Sequence, residues 1–397
     1  MPRGAMIVTA RRATGWLAAA AEVVAVAICA LAAAAMIAAA PIAHAAPAPH
    51  ADAARCAPAE GLQFICGPVA SEELVPIPRT HWLVASGLNV GAPAHLYLID
   101  ATRKSFRALY PGDPARAAAS RPGAEGGPAA ACPGPPDPAR MSLDGLALRS
   151  GAHRRHTLYV ANHGDRRAVE IFELDARRSV PRLRWSGCLP LPPGTLPNAL
   201  AALPGNGLLA ISFHDPDDPS AWQRMQRGED TGRILEWRDD GAGWRDVPDG
   251  ATSGGNGLAV SDDGATIYAS AWAAGRLLVL SRRDGARREI PLGFLPDNIH
   301  RLEDGSLLVA GQRTRVESIA ACNGPQCPQP WVVARVDPRS GAVVPLVAGE
   351  GTRAVNYACG ALERDGEIFI TVRGDARIAW RRLPAAGRSA PQQPEHE

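Results

Sequence analysis

Asn256-Gly257-Leu258-Ala259-Val260-Ser261-Asp262-Asp263-Gly264-Ala265-Thr266-Ile267-Tyr268-Ala269, followed by Gly275 and Leu277-Leu278-Val279-Leu280, decides how this chain folds. A polar Asn-Gly start leads into an apolar run, Asp-Gly turns the chain, and a second apolar run answers the first. Asp-Gly between apolar segments is the strongest short-range signal for an antiparallel hairpin. Gly275 then reverses the chain again. The phrase returns along the sequence. Asp297-Asn298-Ile299 with Asp304-Gly305, 307–310 and 331–336 is one copy, and 158–161 with 169–172 is another. Asn198 through 208–211 to 234–237, then 82–85 with 95–99, and 367–370 with 376–380 complete the series. The starts fall near positions 72, 144, 198, 256, 297 and 356. Six units of four short strands predict an all-β chain, a six-bladed β-propeller of antiparallel blades around a central tunnel. A pair of β-sandwiches is the alternative, but a sandwich has no reason to keep repeating one starting phrase.

Around these units the composition agrees. The 397 residues include 40 glycines and 36 prolines without a collagen period, which suits blade turns and argues against long helices. A formal net charge of +2 offers no electrostatic footprint for nucleic acid. Lys104 is the only lysine, so Schiff-base chemistry and a phosphate-binding P-loop are disfavoured. No Gly-x-Ser-x-Gly elbow is present, and Gly254-Gly255-Asn256-Gly257 leads into a strand, not a helix, which excludes a dinucleotide fingerprint.

Arg3, Arg11 and Arg12 precede an Ala/Val-rich stretch that runs to Ile42, and Ala43-His44-Ala45 has a small-x-small pattern. Residues 1–45 therefore read as a signal peptide cleaved near Ala45, giving a secreted or periplasmic protein. An uncleaved membrane anchor is the competing reading, because residues 23–42 are apolar enough to span a bilayer. An Ala/Pro-rich linker over 46–65, a single propeller over 66–384 and a disordered polar tail over 385–397 follow, with an Ala/Gly/Pro-rich insertion at 107–138. Setting Cys29 aside with the leader leaves Cys56, Cys66, Cys132, Cys188, Cys322, Cys327 and Cys359. In an oxidising compartment such residues pair. Cys322 with Cys327 closes a short loop and Cys132 with Cys188 is plausible, but an odd number leaves one over. No cysteine pair has C-x2-C spacing and no His-Glu-x-x-His is present, which speaks against a zinc site.

In a propeller the strands nearest the axis all start at one face, so the starting residues converge on the tunnel. Here they are polar: Glu72, Glu73, Asp144, Asn198, Asn256, Asp297 and Asn298. Any one of them taken alone is an ordinary turn or Asx residue. Five blades offering carboxylate and amide oxygens at the same phase are harder to dismiss, because these are the hard donors that calcium takes six to eight at a time.

Ser71-Glu72-Glu73-Leu74-Val75-Pro76-Ile77-Pro78 with Ala85-Ser86-Gly87-Leu88 resembles the opening of serum paraoxonases and related arylesterases. Tyr159-Val160-Ala161-Asn162-His163-Gly164 with 169–172 resembles their second-blade strand, and 256–264 and 296–299 resemble their later calcium motifs. The same phrases recur in the wider group of gluconolactonases, regucalcin (SMP-30) and strictosidine-synthase-like propellers. The resemblance covers roughly residues 66–383. It implies calcium in the tunnel, held by Glu72, Asn198, Asn256, Asp297 and Asn298. A second, structural calcium in that family uses an acid at the place of Glu73 and an Asp where this chain has Ala199. Of the family's two catalytic histidines, one falls on His163. The other falls on Asp144, within Leu143-Asp144-Gly145-Leu146, where the family often has His-Gly. Asp144 serves as a base or as a further calcium ligand. His214, with Asp215, Asp217 and Asp218, reads as a solvated loop lining one face.

The activity implied is a calcium-dependent carboxylic ester hydrolase of the arylesterase or lactonase type. Its substrate is a small-molecule ester or lactone, it is monomeric, and it touches a membrane only if the leader is uncleaved. The alternative is a non-catalytic, calcium-pinned propeller that binds a ligand or a protein. A third reading, a synthase-type condensation, requires a tunnel carboxylate and no calcium dependence.

Overall fold

A computed structural model describes residues 56–90, 92–112, 132–322 and 327–384; the expected leader, the first half of the linker (46–55), residues 113–131 of the insertion and the expected tail lie outside the described residues. The strands form six four-stranded antiparallel sheets, a six-bladed β-propeller. The innermost strands are Ser71–Pro76, Leu143–Arg149, Pro197–Ala202, Gly255–Val260, Leu295–Arg301 and Ala358–Arg364, and they define blades 1 to 6 in that order. In each blade the chain meanders outward from the axis, as short loops with Asp-Gly and Gly turns dictate. Blade 4 shows the consequence for burial. Gly255–Val260 and Thr266–Ala271 are almost wholly buried, Arg276–Ser281 alternates, and Arg287–Pro291 is mostly exposed. Inner strands are covered by neighbouring blades on both faces, so they read as continuous apolar runs, whereas outer strands carry the arginines.

The core is a set of apolar layers between blades. Leu258, Ile267, Ala269 and Leu278 of blade 4 pack against Ala199, Leu209 and Ile211 of blade 3, and the same sandwiching repeats around the ring. The ring is closed by the start of the chain. Gln63–Cys66 pairs antiparallel with Arg377–Arg382 as the outermost strand of blade 6, so residues 63–65, expected in the linker, belong to the propeller. Lys104 sits at the neighbouring seam, where its ammonium meets Glu367 at 2.5 Å and lies 4.3 Å above the Trp380 ring. Residues 107–110, expected at the start of the insertion, complete the strand Ser105–Tyr110 of blade 1.

Disulfides join Cys132 to Cys188, Cys322 to Cys327 and Cys56 to Cys66, while Cys359 is free and buried. Among the described residues the α-helices are two, α1 (Ala221–Gln226) and α2 (Val316–Ala321). No helix there is long and apolar enough to cross a membrane.

One irregularity recurs at the same place in all six blades. The ladder between the first and second strands shifts register by one between Ser71 and Leu74, Leu143 and Leu146, Pro197 and Leu200, Gly255 and Leu258, Pro296 and Ile299, and Ala358 and Ala361. Two residues therefore face one, a β-bulge that re-aims side chains toward the axis. Next to the bulge the backbones crowd. A Cβ on Gly257 would stand 2.3 Å from the Asp297 carbonyl oxygen and 2.9 Å from the Asn298 Cα. Gly257→Ala is therefore expected to cost about 1–3 kcal/mol of stability, read from the urea midpoint; an unchanged midpoint would show that the blades have slack at this point.

Candidate functional site

The first residue of each bulge is Glu72, Asp144, Asn198, Asn256, Asp297 and Cys359, in blades 1 to 6. The bulge thus carries the polar starting residues of five blades to one place. Glu72, Asp144, His163, Asn198, Asn256 and Asp297 line a single cavity of about 170 Å³. Asn298, the second bulge residue of blade 5, is fully buried beside it and donates from Nδ2 to the Glu72 carbonyl at 3.2 Å. The cavity is smaller than the roughly 300–1,000 Å³ of drug-sized sites, which suits an ion together with a compact molecule.

Hydrogen bonds from behind hold the ring in place. Trp272 Nε1 donates to Gln312 Oε1 at 2.9 Å, and Gln312 Nε2 donates in turn to Asp297 Oδ2 at 2.9 Å and to the Ala358 carbonyl at 2.8 Å. Thr371 Oγ1 donates to the Glu72 carbonyl at 2.7 Å. Asn198 Nδ2 donates to Asp144 Oδ2 at 3.3 Å. Among the described residues, six side-chain oxygens of this ring are nevertheless buried with no hydrogen-bond partner: Glu72 Oε2, Asp144 Oδ1, Asn198 Oδ1, Asn256 Oδ1, Asp297 Oδ1 and Asn298 Oδ1. A buried acceptor left unsatisfied costs about 1–3 kcal/mol, more when charged, so six in one ring form a donor set that a cation would satisfy. The donor chemistry fits calcium, which binds oxygens and adapts to irregular geometry.

The electrostatics point the same way. Burial pushes the Asp144 and Asp297 carboxyls well above their ordinary range, and the neighbouring Glu72 carboxylate pushes them further. Glu72 is raised by burial too, with Arg373 working against the rise. Three carboxyl groups in one enclosure cannot all ionise without a compensating charge.

His163 stands at the end of the second strand of blade 2, and its Nε2 lies 3.5 Å from Asp144 Oδ2. Its turn is anchored from a buried polar network. Asn162 Oδ1 accepts from the Ser142 and Gly164 amides, each at 3.1 Å, and Asn162 Nδ2 donates to Glu170 Oε1 at 3.1 Å. Glu170 is itself held by Arg166 and by Trp185 Nε1 at 2.8 Å. Burial, and then the positive charge of Arg373, lower the His163 imidazole to about 4, so at neutral pH it is uncharged and can accept a proton.

Sequence reasoning missed several contributors. Arg373 lines the cavity and lies 5.5 Å from the Tyr357 ring centroid. Only its distance from any start phrase hid it. Tyr357 and Cys359 were missed because the sixth start was placed near 356 and its bulge residue is neither acid nor amide. Phe213, Trp222 and Trp272 make an aromatic wall, with ring centroids 5.5 to 6.1 Å apart. His214 also lines the cavity, and its ring is tied by Nδ1 to the Asp215 carbonyl at 2.8 Å; Asp218 is paired with Arg224 at 2.9 Å, outside the ring of bulges. Glu73, at the place of the second calcium in the family resemblance, instead meets His300 Nε2 at 2.8 Å and accepts from the Leu74 amide at 2.9 Å.

No protein-family model matches the chain and no curated protein matches it. Solved structures do. The luciferin-regenerating enzyme is similar at 13% identity and a TM-score of 0.52, over 82% of this chain and 96% of that one. The two share a fold. A gluconolactonase from Xanthomonas campestris is similar at 20% identity and a TM-score of 0.49, over 81% of this chain and 89% of that one. A regucalcin from Agrobacterium tumefaciens, described as calcium-binding, is similar at 14% and 0.48, over 82% and 94%. At such identities the likeness extends to architecture and not to chemistry, so the reaction has to be argued from the site's own atoms.

Without divalent ions the crowded carboxyls destabilise the fold, and Asp297→Asn keeps the shape while removing one of them. In chelator at neutral pH this variant is expected to be more stable than the parent by about 1–3 kcal/mol. The gain should shrink as pH falls, because a carboxyl whose folded pKa is raised takes up its proton in the folded state first and loses its penalty. Chemical denaturation at two pH values measures both; a less stable variant in chelator would contradict the electrostatic account.

Proposed function

We propose that the chain is a secreted, calcium-dependent hydrolase of small esters or lactones. The observation that carries this reading is the ring of six buried, unpartnered oxygens from five successive blades, a donor set of the kind and number that calcium takes. Glu72, Asn198, Asn256, Asp297 and Asn298 would hold the ion, with Asp144 adjacent. When bound, calcium supplies a Lewis acid for a carbonyl oxygen, and a protein nucleophile is then unnecessary.

The chain's own residues supply the rest. His163, uncharged at neutral pH, accepts the proton of the attacking water on the imidazole nitrogen that does not face Asp144. Asp144, 3.5 Å away, orients that ring and limits its rotation. The Arg373 guanidinium offers cationic donors at the cavity wall, suited to negative charge that develops on a substrate oxygen. Phe213, Trp222 and Trp272 hold the organic part of the substrate and exclude bulk water from one side. Three disulfides are consistent with an oxidising compartment.

Phenyl acetate and a panel of lactones, assayed with calcium and with chelator, test the reading. Turnover should require calcium and should disappear in Asn256→Ala. His163→Gln should lower kcat by roughly 10²–10⁴-fold, the usual contribution of a general base, with KM little changed. Chelator-insensitive turnover would overturn the metal role. Calcium binding with no turnover on any ester or lactone would favour the non-catalytic propeller.

A further inference from the structure

The sixth blade breaks the pattern of the other five in one respect. Its bulge residue is Cys359, placed by the same register shift that places Glu72, Asp144, Asn198, Asn256 and Asp297. The Cys359 Sγ, a Glu72 carboxylate oxygen and an Asp297 carboxylate oxygen lie within 4.8 Å of one another. Cys359 is fully buried and, among the described residues, is the cysteine outside the three disulfides. Its thiol makes a weak contact of 3.9 Å to the Tyr357 carbonyl and a hydrogen bond with the Glu72 carboxyl group. Two of the unpartnered oxygens, Glu72 Oε2 and Asp297 Oδ1, belong to the residues that face it. A thiol in this position is a donor that calcium does not use and that soft divalent ions prefer.

We propose that Cys359 turns the cation site into a mixed oxygen and sulfur donor set, so that a thiophilic divalent ion of the zinc or cadmium class binds there more tightly than calcium and competes with it. The ligands would be the Cys359 thiolate with the Glu72 and Asp297 carboxylates, and the amide oxygens of the other blades would complete the shell or stay free. On binding, the thiol gives its proton to solvent and the sulfur takes the metal in its place. The consequence for the protein is a site that calcium activates and soft metals occupy. The inference rests on the divalent-cation reading of the site given above, and it also explains why a cysteine stands where each other blade has an oxygen donor.

The sequence has eight cysteines, and three disulfides leave Cys29 and Cys359. The test therefore uses the full chain carrying Cys29→Ala, stripped of metal, and titrated with cadmium and with calcium. Cadmium should produce a sulfur-to-metal charge-transfer band in the ultraviolet that saturates at one ion per chain. Calcium should reverse it only at large excess. Cys359→Ser should lose the band and about 100-fold or more in cadmium affinity, since even partners of a ligand are worth 10–100-fold, while its calcium affinity stays close to the parent's. Cys359→Ala, with folding checked by circular dichroism, serves if the serine variant does not fold. Cadmium binding without the band, or equal cadmium affinity with and without the thiol, overturns the proposal. If neither ion binds, this proposal and the calcium reading both fall. If the band is present and calcium supports no hydrolysis, only the hydrolase reading falls.

Discussion

Burying an oxygen that no other protein group satisfies is among the costlier things a fold can do, and among the described residues six such oxygens surround a single axis. Everything else near the axis is arranged to tolerate it. The bulge in each innermost strand aims the donors inward, and crowded glycines let adjacent blades approach. The Trp272–Gln312–Asp297 relay fixes one carboxylate from behind while leaving its second oxygen unpaired. The penalty is local and the rest of the protein is built to outweigh it. Leu83, Leu98, Leu158, Leu208, Ile267 and Phe369, for example, are completely buried between blades.

The rigidity of the scaffold has a functional meaning. A ring can hold donors from five blades at one point only if the blades cannot slide, and ring closure supplies that constraint. The strand Gln63–Cys66 is hydrogen-bonded to the last strand of the chain, so the two ends of the propeller sequence share one sheet. The buried Glu170 acts in the same way for His163. Because Arg166, Trp185 and Asn162 satisfy both its oxygens, the turn that carries the imidazole is anchored independently of whatever occupies the cavity. The opposite wall differs in character. There α1 and α2 supply Met225, Val316 and Ile319, which pack with Trp272, Tyr357 and Cys359 into an apolar cluster at the site's edge. Polar donors thus meet an apolar wall.

Much of this was legible in the residues. Asp263-Gly264 and Asp304-Gly305 mark hairpins because the turn requires a left-handed conformation that glycine adopts freely, and φ at Gly264 is 69° and at Gly305 is 84°. Asn198, Asn256 and Asp297 stood out because each precedes an apolar strand at the same phase. Gln63–Cys66 did not stand out, since an outer strand of four residues has no apolar pattern strong enough to separate it from a linker. Cys359 and Arg373 escaped for different reasons. Cysteine breaks the polar signature at the sixth start, and an arginine between strands resembles every other arginine of an arginine-rich surface.

The sequence by itself determined the number of blades, the hairpin turns and which residues begin the innermost strands, because those depend on local alternation and turn chemistry. Tertiary structure alone decided that these starting residues meet, that their oxygens are left without partners and that a thiol and a guanidinium join them. Such facts depend on ring closure, which brings together positions as far apart as Glu72 and Arg373. Over that separation no local pattern reports a contact, and proximity exists only after six sheets have packed around one axis.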